Sequence, residues 1–153
     1  MKIYFIRHAH AVSRNDFEGD DLYRPLSEKG ISRAEKAFSR FSNIFKKPDV
    51  IISSQAIRAK KTAEILKKYC DCDLFEEPLI NPGADFLDYE SVIKTYDDDS
   101  DKLIALVGHE PDMTKFISFY IAEGELFLIM KKGSICYVDN KSLMGLIQQK
   151  ILL

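Results

Sequence analysis

At 153 residues the chain has the length of one domain, residues 1–153, with room for one sizeable core and not for two. Its hydrophobic share of 46%, charged share of 30% and formal charge of −2 are those of an ordinary globular protein. They exclude a global basic field, so neither nucleic acid nor an anionic membrane is suggested as a partner, and any anion must be met by a local pocket.

The chain opens on Ile3-Tyr4-Phe5-Ile6, an apolar run of the kind that forms a strand buried on both faces. It is too short for a signal peptide, and nothing further on approaches the roughly 20 apolar residues of a membrane span, so a cytoplasmic location is expected. The strand delivers Arg7 and His8 side by side. In an open α/β sheet ligands bind outside the carboxyl ends of the strands, where a guanidinium can grip phosphate bidentately and a neutral imidazole can attack phosphorus. His10 lies two residues on, and period-two alternation turns it away from His8 if the chain stays extended, so it reads as structural.

Val12 to Tyr23, rich in acidic residues, reads as a polar loop over the end of this strand. Arg24-Pro25-Leu26-Ser27 leads into a helix with Ser27 as N-cap and an apolar stripe at Ile31, Ala34, Ala37, Phe38, Phe41 and Phe45. Lys46-Lys47-Pro48 ends it. Val50-Ile51-Ile52 is a second strand, followed through Ser53-Ser54-Gln55 by a helix with Ala59, Thr62, Ala63, Leu66 and Tyr69 on one face. Arg58 falls in its first turn, where a cation meets an unfavourable dipole that an anion would relieve. By itself Arg58 reads as one more solvated cation on a helix that also carries Lys60, Lys61, Lys67 and Lys68.

Cys70, Cys72 and Cys136 are odd in number and suit neither a four-cysteine zinc site nor a disulfide framework. A reducing compartment fits them, and no metal or cofactor is called for. Asp73 to Glu76 is a weak third strand, Glu77 to Asp85 a loop with Pro78, Pro82 and Gly83, and Phe86 to Tyr96 a third helix. The acidic run Asp97 to Asp101 lacks the glycine and glutamate of a calcium loop and reads as solvated. Leu103 to Val107 is the clearest buried strand, and it runs into Gly108-His109-Glu110-Pro111 at the start of a fourth helix. Leu126 to Met130 reads as a core strand in preference to a partner-binding edge, and Gly133 to Asp139 with Leu143 to Lys150 as an antiparallel hairpin turning near Asn140-Lys141.

Arg7, His8, Arg58 and His109 thus each follow an expected strand in a strand-helix alternation, so a parallel sheet would bring them to one edge. At these residues the chain resembles the histidine phosphatase superfamily, and more closely its small SixA-type phosphohistidine phosphatases. Arg7-His8-Ala9, Arg24 to Gly30, Ser54-Gln55-Ala56-Ile57-Arg58-Ala59 and Gly108-His109 carry the likeness in order and spacing. It implies a three-layer α/β/α, phosphoglycerate-mutase-like fold with a mostly parallel sheet and an antiparallel edge. It also implies that His8 is the phosphate-accepting nucleophile, that Arg7, Arg58 and His109 complete the phosphate pocket, and that the Ser54 hydroxyl contacts the phosphate. Mutase-like relatives carry a glutamate proton donor in a long insertion after the third strand. Here that segment is only Glu77 to Asp85, and of the nearby carboxylates Glu77, Asp85 and Glu110 none is placed by the sequence. Without a set acid, phosphohistidine in a protein is favoured over a small phosphomonoester, because imidazole leaves with less help than an alkoxide. A non-catalytic phosphate-binding domain on the same scaffold is the remaining alternative, and the presence of both histidines with both arginines argues against it, because a binder needs no nucleophile.

Overall fold

The computed structural model describes all residues, Met1–Leu153. Its sheet has six strands: β1 (Lys2–Arg7), β2 (Val50–Ser53), β3 (Asp73–Glu76), β4 (Leu103–Gly108), β5 (Ile135–Asp139) and β6 (Ser142–Ile147). Their spatial order is β3-β2-β4-β1-β5-β6; the first four are parallel, and β5 and β6 run antiparallel at one edge. Four helices cover it: α1 (Glu28–Ile44), α2 (Ile57–Lys67), α3 (Phe86–Tyr96) and α4 (Asp112–Ala122).

Strand alternation explains the layers. Tyr4 and Ile6 of β1, with Ala105 and Val107 of β4, pack on the side of α1 and α2 against Ala37, Phe38, Phe41, Ala63 and Leu66. Ile3 and Phe5, with Ile104 and Leu106, face the other way onto Tyr89, Val92, Phe116 and Ile117 of α3 and α4. No helix is long and apolar enough to cross a membrane.

Ser27 caps α1, its hydroxyl accepting from the Gly30 amide. The hairpin turns where expected, Asn140 and Lys141 both taking positive φ, the conformation its two-residue loop requires. One expectation fails. Leu126–Met130 forms no strand: its even-numbered residues pack inward, while Phe127 is 94% and Ile129 73% exposed. The inner strands are already paired on both sides, and the segment joins neither free edge of the sheet, at β3 or at β6, but runs as a loop.

For the site, the register is what matters. Arg7 pairs with Gly108, and Ser53 with Val107, so the residues leaving β1, β4 and β2 stand side by side on one sheet edge.

Candidate active site

Arg7, His8, Arg58 and His109 converge there, around a cavity of about 440 Å³ that Arg24, His10, Lys132 and Glu110 also line. Arg58 is 2% exposed, which excludes the solvated reading. It is held through two nitrogens: Nη1 donates to the Asp21 carbonyl at 2.8 Å and Nη2 to the Asp21 carboxylate at 2.9 Å. The other Asp21 oxygen accepts from Arg24 Nε at 2.9 Å. Burial alone would raise the Asp21 carboxyl, but Arg24 and Arg58 outweigh it and hold the group below its usual range. Arg7 donates from Nη1 to the Met130 carbonyl at 2.8 Å, while its Nε and that of Arg58 are buried without a partner. Of the three guanidiniums Asp21 bonds only those of Arg24 and Arg58, which leaves an excess of positive charge that suits a phosphoryl dianion.

The backbone of His8 is fixed at its neighbours. Its amide donates to the Gly108 carbonyl at 3.1 Å, and the next amide, of Ala9, donates at 3.0 Å to Thr62 Oγ1, which itself donates to the Arg58 carbonyl. The ring is fixed by a carbonyl. His8 Nδ1 lies 2.7 Å from the Ala9 oxygen, which can only accept, so Nδ1 carries the proton and Nε2 the lone pair. Burial, with Arg58, Arg7 and Arg24 nearby, pushes the imidazole down to about 3, against the opposing pull of the Ala9 carbonyl.

His109 has the opposite tautomer. Asn81 Oδ1 accepts from the Gln55 amide at 2.8 Å, so the Ser54 hydroxyl, 3.1 Å away, must donate to it. Ser54 Oγ then has no proton left and can only accept, from the Ala56 amide at 3.1 Å and from His109 Nε2 at 2.8 Å. His109 Nδ1 is buried without a protein partner, and the two imidazole rings stand 5.3 Å apart. Burial, the His8 ring and Arg58 push His109 down to about 2.

Ser54, expected to offer its hydroxyl to phosphate, is fully buried behind His109 and bonds that ring instead. Glu77 and Asp85 are engaged elsewhere, as caps of the Pro78–Ile80 turn and of α3. Glu110 is the carboxylate that reaches the cavity; burial raises it, against the bonds it accepts from Thr114 and the charge of Arg7. His10 stands on the rim with Nδ1 2.6 Å from Ser27 Oγ, tied to the start of α1. Asp21, Arg24 and Asn81 act on this site but were not singled out from the sequence. Asp21 is an i, i+3 partner of Arg24 and could have been found; Asn81 carries no sequence signal.

The family model for the histidine phosphatase superfamily (branch 1) matches residues 3–83. The fold is similar to that of an Agrobacterium tumefaciens protein assigned as the phosphohistidine phosphatase SixA, with TM-score 0.83, 24% identity, and 95% of this chain and 97% of that one covered. A protein histidine phosphatase SixA complexed with tungstate matches over 100% of both chains, with TM-score 0.86 and 15% identity. A phosphoserine phosphatase of Entamoeba histolytica matches over 99% of both, with TM-score 0.75 and 15% identity.

Proposed function

The chain belongs to the histidine phosphatase superfamily, and we propose that it hydrolyses phosphohistidine in a protein, by way of a phosphohistidine formed on its own His8. The observation that carries this reading is a neutral imidazole, its proton held on Nδ1 by the Ala9 carbonyl, set in a cavity lined by Arg7, Arg24 and Arg58. Its Nε2 lone pair is then the nucleophile.

In the first step Nε2 attacks phosphorus, the new P–N bond forms in line as the bond to the leaving group breaks, and the guanidiniums take up charge on the phosphoryl oxygens. In the second, water displaces the phosphoryl group from Nε2 and phosphate departs. Both steps are carried by side chains of this chain, so turnover is expected to persist in chelator. We assign the activity to one domain spanning residues 1–153 and to the cytoplasm, which suits three free cysteines.

Glu110 supports a second reading, a phosphatase for small phosphomonoesters, because a half-buried carboxyl raised by burial beside the cavity could serve as the acid for an alkoxide. The test is phosphate release, in chelator, from a phosphohistidine-bearing protein domain and from p-nitrophenyl phosphate, for wild type, His8→Ala and Glu110→Gln. Release from phosphohistidine that survives Glu110→Gln and vanishes in His8→Ala is the expected result. A preference for the ester, abolished by Glu110→Gln, would select the second reading; turnover by His8→Ala would refute both.

A further inference from the structure

A second cavity, of about 420 Å³, adjoins the first on the side of α1 and has no apolar residue in its lining. Arg7, Arg33, Lys131, Lys132 and Lys150 line it, and no acidic residue does. In a chain of net charge −2 this is a local concentration of unmatched positive charge. The ion pairs of the protein engage other cations, among them Lys2, Arg24, Arg58, Lys60 and Lys102, and none of these five. Holding like charges together costs free energy, which an anion would offset.

The cavity is built rather than incidental. The loop carrying Lys131 and Lys132 is clamped by Gln148, whose Oε1 accepts from the Lys131 amide at 3.1 Å and whose Nε2 donates to the Ile129 carbonyl at 2.6 Å. The Gly133 amide ties the same loop to the carbonyls of Arg7 and His8. Gly133 has φ +75°, and a Cβ there would fall 2.2 Å from Gln149 Nε2, so loop and C-terminal turn pack as closely as glycine allows. Behind this wall Gln149 is 6% exposed, and its Nε2 and the Nε atoms of Arg7 and Arg33 are buried without a protein partner.

Arg7, His10 and Lys132 line both cavities. Whatever enters the second is therefore next to the phosphoryl group in the first. We propose that the second cavity binds another oxyanion of the same substrate, a carboxylate or a second phosphate beside the phosphoryl group to be removed. This rests on the phosphatase reading above and narrows it to substrates with a flanking negative charge, borne either by acidic side chains around a phosphohistidine or by a small molecule.

The test uses Arg33→Ala/Lys150→Ala, which leaves the first cavity intact. Calorimetric titration with inorganic phosphate is expected to show two sites in wild type and one in the double variant. For turnover, kcat/KM is compared on phosphoramidate, on phosphohistidine peptides with acidic or neutral flanks, and on phosphoserine against p-nitrophenyl phosphate. The double variant should lose about tenfold, and more at low salt, on substrates with the second anion and stay within about twofold on those without. A loss confined to the acidic peptide places the anion on a protein, and one confined to phosphoserine places it on a small molecule. One phosphate site in wild type, or equal losses on all substrates, overturns the proposal. Two sites in a wild type inactive on every substrate would overturn the phosphatase reading and leave the second anion site standing.

Discussion

His8 and His109 face one cavity with their protons on opposite nitrogens, and each tautomer is set by a group outside the cavity: the Ala9 carbonyl for one, the Asn81–Ser54 relay for the other. The histidines were legible in the sequence because each follows an apolar run. The relay was not, since Asn81 meets Ser54 only through the folding of a loop 27 positions away. Asn81→Ala should therefore release the Ser54 proton toward His109 and mix its tautomers. Loss of one hydrogen bond of about 1 kcal/mol corresponds to a roughly three- to tenfold fall in kcat with KM little changed. Nitrogen NMR of the His109 ring would show the mixed tautomer, and Asn81→Asp, which still accepts from Ser54, should restore both. An unchanged ring spectrum in Asn81→Ala would refute the relay. A second prediction concerns acid. Above the ordinary imidazole value of about 6.5 the folded and unfolded chains both hold these rings neutral. Below it the unfolded chain takes up protons that the folded one refuses until about pH 3, so stability falls across that window. His8→Asn should flatten urea-midpoint curves between pH 6.5 and 4, by about 1.4 kcal/mol per pH unit at most. A variant curve parallel to wild type would show that His8 is not the source.

At the scale of elements, α1 shows how closely site and scaffold are joined. Of the stripe read from periodicity, Ala34, Ala37, Phe38 and Phe41 are buried and Ile31 partly so, while Phe45 lies past the helix end and is exposed; the Ser27 cap was read from its residue type. That Ser27 also meets His10, and that Gly30 passes against the His10 backbone, belongs to tertiary packing. A Cβ at Gly30 would lie 1.9 Å from the His10 carbonyl, so the helix and the strand exit would have to separate. Although alanine is the better helix former, Gly30→Ala should destabilise the protein by about 1–3 kcal/mol and shift His10 on the cavity rim. A thermal midpoint equal to or above wild type would show that the approach is looser than this. Leu126–Met130 was misread for a related reason. Five apolar residues in a row have no period, and the inner strands are already paired on both sides, which only the strand order reveals.

For the whole molecule the point is where charge collects. A net charge of −2 gives the chain no global basic field, so an anion has to be met by a local pocket. Parallel strand order nevertheless gathers Arg7, Arg24, Arg58, Lys131 and Lys132 at one edge, from positions spread along most of the chain. Alternating strands and helices made that edge legible. The loop contacts that hold Arg58 and Arg24 to Asp21 were not, because a polar loop has no period to read. A cationic edge of this kind makes the folded state a better phosphate binder than the unfolded chain, so phosphate should raise the thermal midpoint by mass action. At a concentration of 100 times Kd the gain is about 2.7 kcal/mol, or roughly 5–10 °C for a domain of this size. Matched potassium chloride should reproduce none of it and should blunt it as ionic strength rises. Arg58→Gln removes a guanidinium from the first cavity while leaving the second intact, so it should lose the larger share of the rise. If phosphate stabilised Arg58→Gln as much as wild type, its binding would lie outside the first cavity, and Arg58 would have no part in holding the phosphoryl group.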